Sequence, residues 1–290
     1  MLKIGIVGAE NSHCAGITVL LNIRKRLGAK VAAVWGERPK FAKAAAKAGN
    51  IPMIVKDWRD MLGHVDGVMI DHRHPKYHAE VAAFFVKNGI PCFVDKPFTY
   101  TLAEGKRLCA LARKKKVPIT SFSVIPLQKN FRQFQQAVAK LGSVANVNTS
   151  GPVDLKSKYG GIFFYGIHQV DAVLEAFGTN VDAVCVHRNG EGGVAVLTYK
   201  NGPTVTMNLA NNGNRTFHWS VVGEKDILNW PHAFDENLFL AGAKTFVKMF
   251  KTGKEPYSHE RLLAPVAVLE ALDKSIKRGG RIRVATVARK

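Results

Sequence analysis

The chain has 290 residues, 47% of them hydrophobic, and a formal net charge of +20. That length leaves room for one large or two ordinary domains, and the apolar runs stop short of the roughly 18 residues a membrane helix needs, so a globular, soluble chain without a membrane partner is expected. The positive charge is spread along the sequence, with no basic arm and no aromatic-interleaved basic patch, and no nucleic-acid partner is expected.

Over the first 120 or so residues, short apolar runs alternate with amphipathic stretches. Runs at 4–7, 31–35, 53–55, 65–70, 92–94 and 117–120 read as buried parallel strands, and the segments between them read as helices. A helix is predicted over about 12–27, with Ile17, Leu20, Leu21 and Leu27 on its apolar side and Gly28 as its stop. Another covers about 75–88 and stops at Gly89. A third starts at Thr101, which stands three residues before Glu104 in capping-box spacing. The basic clusters Arg24-Lys25-Arg26 and Arg113-Lys114-Lys115-Lys116 fall at predicted helix carboxyl ends, where cations complement free carbonyls.

After Phe122 the pattern changes. A helix at about 128–141 leads into strands joined by tight turns: 194–199 to 204–209 through Asn201-Gly202, and 216–222 to 226–230 through Gly223-Glu224. Helices at about 236–250 and 259–277 precede a short strand at 281–284. The expected fold class is α/β: a Rossmann-like, doubly wound parallel sheet in residues 1–122, then an α+β domain on a mostly antiparallel sheet in residues 123–290.

The cysteines Cys14, Cys92, Cys109 and Cys185 form no C-x-x-C pair and predict neither a disulfide framework nor a zinc site. The amino terminus carries no apolar stretch of export-signal form, so a cytoplasmic chain is expected. No metal is expected: His72 and His74, on an extended segment, would point to opposite sides.

The first strand runs into Gly8-Ala9-Glu10-Asn11-Ser12-His13, where a dinucleotide fold usually shows G-x-G-x-x-G. Only the first glycine is present; Glu10 replaces the glycine that lets the backbone approach a diphosphate, and His13 the one that lets helix and strand pack closely. The helix amino terminus still offers N–H groups to an anion, with Asn11 or Ser12 either capping the helix or contacting phosphate. After the second strand, Glu37 suits the ribose hydroxyls of NAD and Arg38 the extra phosphate of NADP, or both stand exposed before Pro39. Asp71 and Arg73 follow the fourth strand at the sheet edge where such folds bind ligands.

Two segments give the pattern a family. Asp95-Lys96-Pro97, ending the fifth strand, is similar to the E-K-P motif of the Gfo/Idh/MocA oxidoreductases, with aspartate for glutamate. Gly166-Ile167-His168-x-x-Asp171 resembles that family's G-x-H-x-x-D segment. His78-Ala79-Glu80 and the late Lys274-Ser275-x-x-x-Gly279 fit as well.

The resemblance implies NAD or NADP as cofactor and a sugar-like small molecule as substrate. It makes Lys96 the residue that polarises the reacting oxygen, His168 the proton carrier, and Asp171 the group that positions substrate or imidazole. Gly8, Glu10, Asn11, Ser12, His13, Glu37, Arg38, Asp71, Arg73, Asp95, Lys96 and Pro97 are the expected nucleotide contacts. It implies a homo-oligomer too. One departure concerns catalysis: Phe164 stands where many family members carry an aspartate. A catalytically degenerate member acting as a nucleotide or sugar sensor is the competing expectation.

Overall fold

The computed structural model describes residues 1–287. It divides into two units, 1–122 with 239–262 and 123–238 with 263 onward. The continuous second domain expected from sequence, 123–290, is therefore interrupted by a segment that clusters with the first unit. No helix among the described residues is long and apolar enough to cross a membrane.

In the first unit, six parallel strands lie in the order β3-β2-β1-β4-β5-β6. They are β1 (Leu2–Val7), β2 (Ala29–Trp35), β3 (Met53–Ile54), β4 (Gly67–Ile70), β5 (Cys92–Val94) and β6 (Ile119–Thr120). Consecutive residues are buried along β1, β2, β4 and β5. Side chains alternate faces along a strand, so both sheet faces are covered, which is why these strands read as unbroken apolar runs. The order reverses between β1 and β4, and at such a switch point the strand carboxyl ends open a crevice for ligands.

The helices are α1 (Ser12–Thr18), α2 (Pro39–Gly49), α3 (His78–Lys87), α4 (Leu102–Lys115) and, from later in the chain, α7 (Leu240–Thr252). The predicted helix over 12–27 is shorter than expected. α1 ends at Thr18, a π-helical turn covers Val19–Ile23, and Lys25 and Leu27 take positive φ. Two side chains account for this. The Thr18 hydroxyl donates to the Cys14 carbonyl at 2.6 Å, and Asn22 bonds the Val31 backbone through both its amide groups, at 3.0 and 2.8 Å. Arg24, Lys25 and Arg26 thus lie beyond the helix, whereas Arg113, Lys114 and Lys115 do occupy the last turn of α4. The capping box forms as expected, Thr101 and Glu104 each bonding the other's backbone N–H.

α7 was expected to cover the second sheet, but its apolar side packs on the first. Phe246 stacks on Phe93 with ring centroids 4.8 Å apart, and Phe250 lies so close to Gly67 that a Cβ there would come within 2.7 Å of its ring.

The second unit holds a seven-stranded sheet in the order β12-β11-β7-β10-β9-β8-β13, antiparallel except where β7 runs parallel to β10. Its strands are β7 (Val144–Pro152), β8 (Val181–Asn189), β9 (Gly192–Tyr199), β10 (Thr204–Ala210), β11 (His218–Gly223), β12 (Ile227–Pro231) and β13 (Arg281–Arg283). Both hairpins read from sequence, β9–β10 and β11–β12, are present. Val205, Met207 and Leu209 alternate with residues more open to solvent, so one face is buried and the other partly wet. The buried face packs on α5 (Lys129–Val138), whose Phe131 and Phe134 meet Trp219 with centroids 5.8 and 5.4 Å apart, and on α6 (Ile162–Phe177). The last helix is α8 (His259–Arg278).

His232 is wedged among Trp219 and Phe234, and neither ring nitrogen has a hydrogen-bond partner among the described residues. Burial lowers its pKa to about 4, against a small opposing pull from Asp235. An unfolded histidine titrates near 6.5. Between those values the unfolded state binds the extra proton, so His232 removes stability as pH falls from about 6.5 to about 4. His232→Leu is expected to reduce the drop in Tm between pH 7 and pH 5; thermal unfolding at both pH values checks this, and an unchanged drop would show that His232 carries none of it.

Candidate active site

The candidate residues fall into two clusters, one in each unit. In the first, the loop after β1 presses against the end of β4. Gly8 has φ +112°, and a Cβ there would lie 2.6 Å from the His72 nitrogen and 2.7 Å from the Asp71 carbonyl carbon. Asn11 is the N-cap of α1, accepting from the His13 N–H at 3.4 Å, which settles the choice between Asn11 and Ser12; Ser12 is exposed.

The other end of the Asn11 side chain reaches inward. Its Nδ2 donates to Asp71 Oδ1 at 3.1 Å and to Asp95 Oδ2 at 3.2 Å. His13 Nδ1 lies 3.1 Å from Asp95 Oδ1 and 3.7 Å from Asp71 Oδ1. Lys96 Nζ stands 3.4 Å from Asp95 Oδ2, and its side chain is only 9% exposed. The peptide bond to Pro97 is cis. The segments after β1, β4 and β5 thus bring one imidazole, one amide, one ammonium and two carboxyls together.

Environment separates the two carboxyls. Burial, with the neighbouring Asp95 charge, pushes Asp71 well above the usual carboxylate range. Burial acts the same way on Asp95, but Lys96 and His13 outweigh it and hold Asp95 below that range. Asp95 is the ionised partner of Lys96, and Asp71 is the more readily protonated of the two.

Glu37 is not exposed before Pro39. Its Oε2 accepts from the N–H groups of Ala9 and Glu10 at 3.1 and 3.0 Å, while its Oε1 is buried with no partner among the described residues. Arg38 is exposed, and Arg73 is half-buried. His72 is buried beside Trp35 and Tyr77, and burial lowers its pKa to about 3, with His78 adding to the effect. His78 bridges two loops, its ring nitrogens 2.9 Å from the Pro97 carbonyl and 2.8 Å from that of His72. This is a positioning role for the His78-Ala79-Glu80 match.

The second cluster lies on α6. Because α6 begins at Ile162, His168 and Asp171 stand well inside it, not at its start, so neither a capping role for His168 nor a first-turn dipole role for Asp171 applies. Asp171 is buried, and its Oδ2 accepts the Ser123 N–H at 2.9 Å. Ser123 Oγ lies 2.8 Å from His168 Nδ1 and accepts the Ile125 N–H at 3.3 Å. The Ser123 hydroxyl thereby orients the imidazole through Nδ1, and Nε2 is the ring nitrogen that Ser123 does not hold. Around the imidazole stand Tyr165 and Phe217, with Arg215 over the Tyr165 ring at 4.9 Å. Phe164 packs between Tyr159 and Tyr165 and supplies no polar group.

Residues 2–123 match the family model described as an oxidoreductase family with an NAD-binding Rossmann fold. Over that segment the chain is similar to the Gfo/Idh/MocA family. A curated relative, the uncharacterized oxidoreductase YhhX of Escherichia coli (strain K12), is 32% identical in a match of 116 residues that covers 36% of this chain and 33% of the relative. The match thus spans about a third of that relative's length.

Solved structures share the fold at low identity. Apo scyllo-inositol dehydrogenase from Lactobacillus casei superimposes with a TM-score of 0.85 at 16% identity, covering 99% of both chains. Myo-inositol dehydrogenase from the same organism, in complex with NAD(H) and myo-inositol, gives 0.84 at 17%, covering 100% of this chain and 98% of the other.

Two features of the site were not anticipated from sequence. Ser123, the link between Asp171 and His168, lies in a loop with no motif around it. His13, Asp71 and Asp95 were each expected to touch a nucleotide, but not to meet one another.

Proposed function

We propose that the chain is a nicotinamide-dependent oxidoreductase acting on the carbonyl or secondary alcohol of a sugar-like, anionic small molecule. The observation that carries this reading is the Asp95–Lys96 pair at the carboxyl end of β5: a desolvated ammonium held by an ionised carboxylate beside the switch point of the parallel sheet. The chain's own groups suit a nicotinamide nucleotide. Glu37 keeps one buried oxygen unpartnered, an acceptor that a ribose hydroxyl would satisfy, and a carboxylate there disfavours a 2′-phosphate, so NAD(H) is preferred to NADP(H). The bound nicotinamide supplies the hydride chemistry.

The protein handles charge and protons. Lys96 polarises the reacting oxygen, and His168, oriented through Ser123, exchanges a proton at Nε2. Asp171 acts on His168 through the Ser123 backbone and so positions it. Arg215, beside Tyr165, supports the choice of an anionic substrate. We further place the protein in the cytoplasm as a homo-oligomer joined through the open face of its second sheet, with all four cysteines free and no nucleic-acid or membrane partner.

The sensor reading also has an observation in its favour. Glu37 already accepts the Ala9 and Glu10 N–H groups of the loop that would receive a diphosphate, and Phe164 brings no carboxylate. Calorimetric titration separates the two readings. NADH is expected to bind more tightly than NADPH; no heat with either at millimolar concentration removes the nicotinamide claim and leaves the sensor.

A further inference from the structure

Three strand ends deliver His13, Asp71 and Asp95 to one point, and their ligand atoms all lie within 4.8 Å of one another. Donors around a single ion bound at about 2.0–2.3 Å stand roughly 3–4.5 Å apart. The 3.1 and 3.7 Å separations from His13 Nδ1 to the two carboxylates fall in that range. Asp71 is fully buried, yet its Oδ2 has no hydrogen-bond partner among the described residues, an exposed-ligand preference unmet inside the protein. Asp95 divides its work: Oδ2 faces Asn11 and Lys96, while Oδ1 faces His13. One carboxylate oxygen is therefore free of the ammonium.

We propose that His13 Nδ1, Asp95 Oδ1 and the Asp71 carboxylate form a binding site for a divalent first-row transition metal ion. The donor set selects the class. Magnesium and calcium take oxygen ligands almost exclusively, whereas one imidazole with two carboxylates suits zinc, manganese or iron(II). Three protein ligands leave a coordination position for water or a substrate oxygen. Asn11 supports the site from behind, its amide donating to both carboxylates and fixing their orientation. Lys96 offsets part of the surplus negative charge without occupying a ligand oxygen of the ion. His13 stands where the family loop has its third glycine, so the same substitution that alters the nucleotide loop supplies the nitrogen ligand. The site requires no bound nicotinamide, and its test is independent of the oxidoreductase reading.

The test uses tag-free, chelator-treated full-length protein and Co2+ as a spectroscopic probe for the ion class. One equivalent per chain is expected, with visible d–d absorption and without an intense thiolate charge-transfer band, since no cysteine belongs to the set. Zn2+ should displace it, and native mass spectrometry should count the same single ion. His13→Gln and the isosteric Asp71→Asn, each checked for folding by circular dichroism, are expected to weaken Co2+ binding at least 10-fold. His64→Gln, at an exposed histidine, should not. Absence of stoichiometric binding by the wild-type protein overturns the proposal whatever the variants do. So does a thiolate band, or undiminished binding in folded His13→Gln and Asp71→Asn.

Discussion

His168→Ala is expected to lower turnover by about 10²–10⁴-fold while leaving nucleotide affinity at the wild-type level. The size follows from what the imidazole does that nothing near it can replace. Its Nδ1 is engaged by Ser123 Oγ at 2.8 Å, so Nε2 is the nitrogen expected to exchange a proton with substrate, and the neighbouring Phe164 offers no carboxylate to take over. The wild-type turnover profile should show a limb in the range where histidines titrate, and that limb should vanish in the variant. Ser123→Ala is expected to cause a smaller loss and to move the limb without abolishing it, because the imidazole remains but loses the hydrogen bond at Nδ1 that orients it. The measurements are steady-state rates against pH, in both the reducing and oxidising directions, on a panel of sugar acids, sugar phosphates and cyclic polyols. Once a substrate is known, wild-type turnover with an unchanged pH profile in His168→Ala would sink the role assigned to it.

The parallel sheet was legible because burial on both faces leaves a direct trace: residues such as Ile4, Ile6, Val7, Val68 and Ile70 must all be apolar when consecutive side chains are enclosed. Asp95-Lys96-Pro97 stood out through its similarity to the E-K-P motif, and the apolar run before it fixed where the strand ends. The shortened α1 was not, because its end is set by Thr18 and Asn22 bonding to particular carbonyls, and periodicity records faces, not such bonds. The pattern of α7 announced a helix with one apolar side, but an apolar side does not say which sheet it covers. The His13–Asp71–Asp95 cluster was hidden by connectivity. Its members come from the segments that follow three strands, His13 from the first turn of α1, and only the strand order β1-β4-β5 brings them side by side, whereas metal-ligand spacing rules look for neighbours in sequence.

The same strand order makes Gly8, in the loop after β1, hard to replace. Gly8→Ala is expected to destabilise the protein by about 2–5 kcal/mol, from about 1–2 kcal/mol for a side chain at positive φ and about 1–3 kcal/mol for overpacking. Both contributions are visible at the site: φ is +112°, and the added Cβ would meet the His72 nitrogen at 2.6 Å and the Asp71 carbonyl carbon at 2.7 Å. These are backbone atoms, so no side-chain rotation relieves the clash. The loop must move away from β4, carrying Asn11 and His13 from Asp71 and Asp95. Gly89→Ala is the matched control. Its φ is also positive, +80°, but nothing lies within 4 Å of the new Cβ, so only the strain, about 1 kcal/mol, should appear. Urea unfolding of the two variants measures the difference directly. Gly8→Ala should also weaken NADH binding in calorimetry, whereas Gly89→Ala should not. Equal urea midpoints would mean that the loop after β1 yields freely, and its close approach to the end of β4 would then not be what holds the cluster together.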